Sequence, residues 1–197
     1  MEYSFHVDQP EWLPVEEKSC SEIYATTEER MALVIRFSEL NVRFETGGPF
    51  AAAVFESETG RLVSVGVNQV ISSKLSFAHA EVCALSLAQR RLGNFDLGAR
   101  DTPAHQLVVN WAPCVMCYGA AIWSGITSLV TNSGPEMEEI TGFDEGPLHP
   151  EWREQLHARG IIVREGVMRE KALAVFRRYR DSGAPVYNAR ERSRENL

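Results

Sequence analysis

The sequence predicts a layered α/β domain with helices on both faces of a sheet. Short apolar runs of strand length alternate along the chain with segments of helical period, the pattern of a sheet covered by helices. No internal repeat or low-complexity tract breaks the alternation. A length of 197 residues suits one such domain with a substantial core, plus tails or insertions.

Residues 1–25 carry Pro10 and Pro14 with little periodicity and are expected to form a loosely structured N-terminal arm. Thr26-Thr27-Glu28-Glu29 has the form of a capping box, in which a hydroxyl and a carboxylate each satisfy an orphan amide, so a helix starts there. Met31, Val34, Ile35 and Phe37 to Leu40 keep helical spacing until Gly47-Gly48-Pro49. Phe50 to Phe55 and Leu62 to Val67, joined by Glu56-Ser57-Glu58-Thr59-Gly60, read as a β-hairpin. From His79, the positions Val82, Leu85, Ala88 and Leu92 share one helical face that Gly93 closes, which puts His79 in the first turn. Leu107 to Val109 is a buried-strand candidate running into Pro113, where a second helix starts and continues to Gly125. Ile126 to Val130 is another strand, and Ser133 to Pro150 a long polar connection of the kind that often carries function. Glu151 to Ala158 is expected to be helical, Ile161 to Val163 a strand, and Met168 to Tyr179 an amphipathic helix ending before Gly183. A single domain over 26–187 follows, with 188–197 as a C-terminal tail.

The balance of 20 Lys+Arg against 27 Asp+Glu gives a formal charge of −7, which opposes a polyanionic partner, so RNA and duplex DNA are not expected. The first thirty residues show no basic-then-apolar run and no stretch reaches the length of a membrane span, so a soluble cytoplasmic protein without a membrane partner is expected. In that setting four cysteines point to metal or redox chemistry rather than disulfides. Cys83 reads as a buried small hydrophobe, Cys20 has no assigned role, and His6, His105, His149 and His157 read as surface residues.

Two motifs carry the chemistry: His79-Ala80-Glu81 and Pro113-Cys114-Val115-Met116-Cys117. One imidazole and two thiolates supply three zinc ligands; structural zinc is normally closed by four, so a place is left for water. Both motifs fall at expected helix N-termini, whose partial positive charge favours the thiolate that binds metal. Zinc lowers the pKa of its water from 15.7 to about 7, worth on the order of 12 kcal/mol, and makes hydrolysis possible at neutral pH. Glu81 need not be a ligand and can carry the water's proton to a ring nitrogen, a role worth roughly 10²–10⁴ in rate.

With Gly47-Gly48-Pro49-Phe50-Ala51-Ala52, Asn68 and Gly142-Phe143-Asp144-Glu145-Gly146-Pro147, these motifs resemble the cytidine deaminase superfamily and, within it, the guanine deaminase branch, over roughly Thr27 to Arg190. The resemblance implies a three-layer α-β-α cytidine deaminase-like fold with a five-stranded mixed sheet. It implies zinc-dependent conversion of guanine to xanthine and ammonia, a zinc-activated water attacking the amino-bearing carbon while Glu81 shuttles protons. It implies a homodimer with exchanged C-terminal segments, a place in purine catabolism, and Tyr187-Asn188-Ala189-Arg190 as a lid. One relative in this branch also deaminates ammeline.

Guanine's C2 amino group lies between N1 and N3, so a second acid would help expel ammonia; the resemblance puts one in the Asp144-Glu145 segment, with Glu145 favoured. It also places Asn68, Phe50, Ala80, Phe143 and Asp144 at the substrate. Asn68 alone could equally form a turn, and Phe50 and Phe143 could be core aromatics. Trp111, close to Cys114, packs beside the helix start or lines the pocket; Asn110-Trp111-Ala112 departs from the hydroxyl residue and Glu that relatives carry there. Other aminated rings (ammeline, cytosine, a nucleoside), a tRNA adenosine, and a non-catalytic zinc module are the alternative readings.

Overall fold

The computed structural model describes residues 3–189. Its sheet has five strands, β1 (Ala51–Glu56), β2 (Leu62–Val67), β3 (His105–Val109), β4 (Ser128–Thr131) and β5 (Ile162–Glu165), in the order β2-β1-β3-β4-β5. β1 pairs antiparallel with β2 and β3, whereas β3-β4 and β4-β5 are parallel, so the sheet is mixed as expected.

The helices are α1 (Trp12–Lys18), α2 (Thr27–Arg43), α3 (Val70–Ser73), α4 (Ala80–Leu92), α5 (Val115–Ser124), α6 (Glu136–Thr141), α7 (Trp152–Ala158) and α8 (Arg169–Asp181). Two separate apolar clusters fill the faces of the sheet. Ala51, Ala53 and Phe55 of β1 point to one, against Met31, Val34 and Phe37 of α2 and Phe176 of α8. Ala52 and Val54 point to the other, against Ala84, Leu85 and Ala88 of α4, Ala121 of α5 and Leu156 of α7. Successive strand side chains alternate faces, which is how one all-apolar strand serves two cores. The expected three layers follow. Phe37 and Phe176 are fully buried, and truncating either to alanine costs about 3–5 kcal/mol.

The capping box forms as read: Thr26 Oγ1 accepts from the Glu29 amide at 3.2 Å and Glu29 Oε2 from the Thr26 amide at 2.9 Å. Gly93 and Gly125 end α4 and α5 in the left-handed conformation.

Three expectations are corrected. The arm is not loose throughout: α1 buries Leu13 in the α2 side of the core, and Pro14 sits in its first turn, where a missing amide costs little. The long connection contains α6, which buries Met137 and Thr141. His105 is 1 % exposed, at the start of β3, with Nδ1 2.7 Å from the Leu97 carbonyl. Among the described residues no helix is long and apolar enough to cross a membrane.

Candidate active site

Two helix starts build the site. His79 is the extended residue that caps α4, and Cys114 the extended residue that caps α5, its Sγ accepting from the Cys117 amide at 3.5 Å. One turn of α5 then brings Cys117 onto the same face. His79 Nδ1 lies 3.5 Å from Cys114 Sγ, and the three ligand atoms all fall within 4.8 Å of one another. A tetrahedral zinc with its usual bond lengths separates an N and an S ligand by about 3.5 Å and two S ligands by about 3.8 Å, so the three side chains fit the metal.

The electrostatics agree with that donor set. Cys114 is brought down to about 4, chiefly by the Cys117 side chain and then by His79, against the opposing effect of burial. Burial works against a charged His79, but the thiolate of Cys114 and the carboxylate of Glu81 outweigh it and hold His79 above its ordinary value. Cys117 keeps its proton because Cys114 beside it, and then burial, disfavour a second negative charge. A divalent cation at this point would displace a proton from His79 and from Cys117 and pair with the Cys114 thiolate.

A cavity of about 180 Å³ opens at the ligand His79, lined by the acids Glu81 and Glu145 and by the aromatic rings of Phe50, Phe143 and Tyr187. Glu81, in the first turn of α4, is 5 % exposed, and burial, followed by the charge of Cys114, pushes its carboxyl up to about 7. Burial, then Cys114 and Glu81, pushes Glu145 to about 9. A bound divalent cation would itself favour the carboxylate form and bring both down. The Glu145 carbonyl accepts from the Val115 amide at 3.1 Å, tying the acidic loop to the start of α5.

Phe50 and Phe143 meet edge to face at 5.4 Å, and Phe143 and Tyr187 stand 4.7 Å apart with their rings inclined by 55°, an aromatic wall of three interlocked rings. Phe50 also packs on Phe176, so it lines the cavity and the core at once. The Tyr187 hydroxyl is buried, finds no hydrogen-bond partner among the described residues, and fits because Gly48 has no side chain; a Cβ there would lie 2.1 Å from it. Asn188 closes the same wall, accepting from the Asp144 amide at 3.0 Å and donating to the Gly142 carbonyl at 2.7 Å. Tyr187, Asn188 and Ala189 therefore cover the cavity of their own chain, while Arg190 lies outside the described residues.

Other sequence candidates fall elsewhere. Asp144 lines the cavity, but its carboxylate accepts from the Gly146 amide at 2.9 Å. Asn68 is buried between two residues that line the cavity, its backbone amide donating to the Phe50 carbonyl at 3.1 Å and its side-chain Oδ1 accepting from the Val70 amide at 3.3 Å. Ala80 is fully buried in the α4 side of the core. Trp111, expected beside the substrate, is instead turned away: it stacks edge-on with Phe176 and under the Arg169 guanidinium, and does not line this cavity. Val70, Ser76 and Ala112 complete the lining and were not foreseen; only Ala112, next to Pro113, carried a signal.

Residues 25–133 match the model of the cytidine and deoxycytidylate deaminase zinc-binding region. The chain belongs to that deaminase family. It is a zinc-dependent hydrolytic deaminase in fold and in metal-binding residues. A solved guanine deaminase from Nitrosomonas europaea is 43 % identical, covering 92 % of this chain and 98 % of its own, with a TM-score of 0.86. A solved complex with 2,6-diaminopurine is 44 % identical over 96 % of this chain and 100 % of that one, with a TM-score of 0.88. Asparagine and glutamate variants of that same protein have been solved with 8-azaguanine. A guanine deaminase from Bacillus subtilis is 28 % identical over 135 residues, 68 % of this chain and 81 % of the relative.

Proposed function

We propose that this family member is a guanine deaminase, converting guanine and water to xanthine and ammonia, and that it works in purine catabolism as a cytoplasmic homodimer. The observation that carries the reading is the composition of the cavity: the aromatic rings of Phe50, Phe143 and Tyr187 line it together with Glu81, Glu145 and the metal ligand His79. That is a slot for a planar ring with its amino-bearing carbon turned to the metal. The asparagine and glutamate varied in the 8-azaguanine complexes stand the same number of positions apart as Asn68 and Glu145.

His79, Cys114 and Cys117 hold zinc, which when bound supplies a water acidic enough to react near neutral pH. Glu81 takes a proton from the attacking water and returns it to a ring nitrogen, a task suited to a carboxyl buried beside the metal ligands. Glu145 donates a proton to the exocyclic amine as the C–N bond breaks and ammonia leaves, and the proton released when the remaining hydroxyl becomes the carbonyl of xanthine restores the acid. Two acids answer the problem that the C2 amino group lies between two ring nitrogens. Phe50 and Phe143 stack on the base and Asn68 presents polar groups to its edge. The partnerless Tyr187 hydroxyl offers one further hydrogen bond.

A charge of −7 and a cavity this small favour a free base over a nucleic acid. Trp123 at 87 % exposure and Val115 at 43 %, both on α5, are apolar surface that a second subunit would cover. The deciding experiment is ammonia release from zinc-loaded protein with guanine, ammeline, cytosine, adenine, cytidine and guanosine in parallel. Release from guanine is expected; release only from a pyrimidine or a nucleoside would refute the substrate, and a monomeric mass by light scattering would refute the dimer.

A further inference from the structure

Among the contacts that the N-terminal arm makes with the domain, three fall on segments next to the metal ligand His79, Asn68 and the Gly47-Gly48 loop. Phe5 packs edge-on against Phe77, two residues before the metal ligand His79, with ring centroids 5.5 Å apart. Gln9 Oε1 accepts from the Val67 amide at 2.9 Å, next to Asn68. Trp12 Nε1 donates to Thr46 Oγ1 at 3.0 Å.

The Trp12 contact opens a continuous relay. Thr46 Oγ1 donates to Asn41 Oδ1 at 2.8 Å, which fixes the orientation of the Asn41 amide. Asn41 is fully buried, and its Nδ2 donates to the Gly48 carbonyl at 2.8 Å and the Asn68 carbonyl at 3.1 Å. Gln69 Nε2 braces the same corner, donating to the carbonyls of Asn68 at 2.8 Å and Thr46 at 3.2 Å. Gly47 is what lets these strands of backbone meet: a Cβ there would sit 2.0 Å from the Asn68 oxygen. One amide thus joins the loop that leads to Phe50 with the strand end that carries Asn68. Thr46 has a single hydroxyl proton and spends it on Asn41, so the Trp12 N–H supplies the only donor from the arm to that oxygen.

We propose that Trp12 and Thr46 are positioning residues for the base-binding wall, acting through Asn41 to hold Gly48 and Asn68 in register. The inference rests on the reading of Asn68 as a contact of the base. It gives the arm a role in substrate binding, where its composition alone suggested none.

Thr46→Val removes the hydroxyl at nearly constant shape, and Trp12→Phe removes the indole N–H while keeping a ring against Phe37 and Phe44. Each variant is expected to keep stoichiometric zinc and to lose about tenfold in kcat/KM for guanine, mostly in KM, short of the roughly hundredfold that a full ångström of misplacement costs. Thr46→Ser should restore the rate. In an Asn68→Ala background, Thr46→Val should cost less than it does alone, because the Asn68 side chain is gone and only the Gly48 loop is left to be positioned. Wild-type kinetics for both single variants would overturn the proposal, and so would a Thr46→Val loss that adds in full to Asn68→Ala, since that is the signature of a general structural effect. An Asn68→Ala protein with undiminished kcat/KM would instead strike out the base-contact reading, and with it the route through the Asn68 carbonyl.

Discussion

Replacing Asn110 by leucine should destabilise the zinc-loaded protein by about 3 kcal/mol, a figure built from its hydrogen bonds. Asn110 is fully buried at the end of β3; its Oδ1 accepts from the Ala51 amide at 3.1 Å, and its Nδ2 donates to the Pro49 carbonyl at 2.9 Å and to Ser38 Oγ at 3.3 Å. Leucine keeps the volume and can do neither. The buried Ala51 N–H then loses its acceptor, a cost of about 1–3 kcal/mol. The Pro49 carbonyl is treated more gently, because the Ser38 hydroxyl still donates to it at 2.6 Å; that loss is about 1 kcal/mol. For a domain of this size each kcal/mol moves the melting midpoint by about 2–4 °C, so a fall of roughly 6–12 °C is expected. Circular-dichroism melts at fixed free zinc give the number, since bound metal itself stabilises the fold. Ser38→Ala should cost only about 1 kcal/mol, as the Pro49 oxygen stays held by Asn110. A midpoint for the leucine variant within about 2 °C of wild type would refute the assignment of these bonds as the tie between β3 and the loop before Phe50.

Glu81→Gln should retain zinc and lose roughly 10²–10⁴ in turnover, measured as ammonia release; near-normal turnover would remove Glu81 from the proton path. Glu145→Gln should fall in the same range and Asp144→Asn should not, because the Asp144 carboxylate is engaged by the Gly146 amide. The reverse pattern would exchange their roles. A strong chelator should abolish activity, zinc should restore it, and Cys83→Ala should still bind one equivalent, since Cys83 lies outside the ligand set. Burial disfavours the Glu165 charge, yet bonds from Arg153 and Ser133 outweigh it and hold the carboxyl below its ordinary value. A depressed folded value stabilises above the ordinary carboxylate range and is lost as pH falls through the folded one. The gap in melting midpoint between wild type and Glu165→Gln should therefore close at acid pH, modestly because the pair is partly exposed; a gap independent of pH would contradict it.

The metal centre was legible because its ligands come from two short motifs whose spacing alone sets their geometry: a cap residue, and a pair one turn apart. The capping box at Thr26 and the strand candidates were legible for the same reason, being local. What failed was short or tertiary. α1 has one buried residue and a proline in its first turn, and α6 is rich in glutamate, so neither shows an apolar period. His105 gave no sign of burial except its place at the head of an apolar strand. Trp111 sits near Cys114 in sequence, but just past the end of β3 its side chain joins the cluster against α2 and α8, edge-on to Phe176. No spacing rule reveals that Tyr187 returns to Gly48 across nearly the whole chain.

That return has a consequence for the order in which the protein matures. His79, Cys114 and Cys117 have all been synthesised about 70 residues before Tyr187 and Asn188, which complete the wall. Metal capture and exclusion of solvent are thus separate events, with all three zinc ligands made well before the chamber can close over a base.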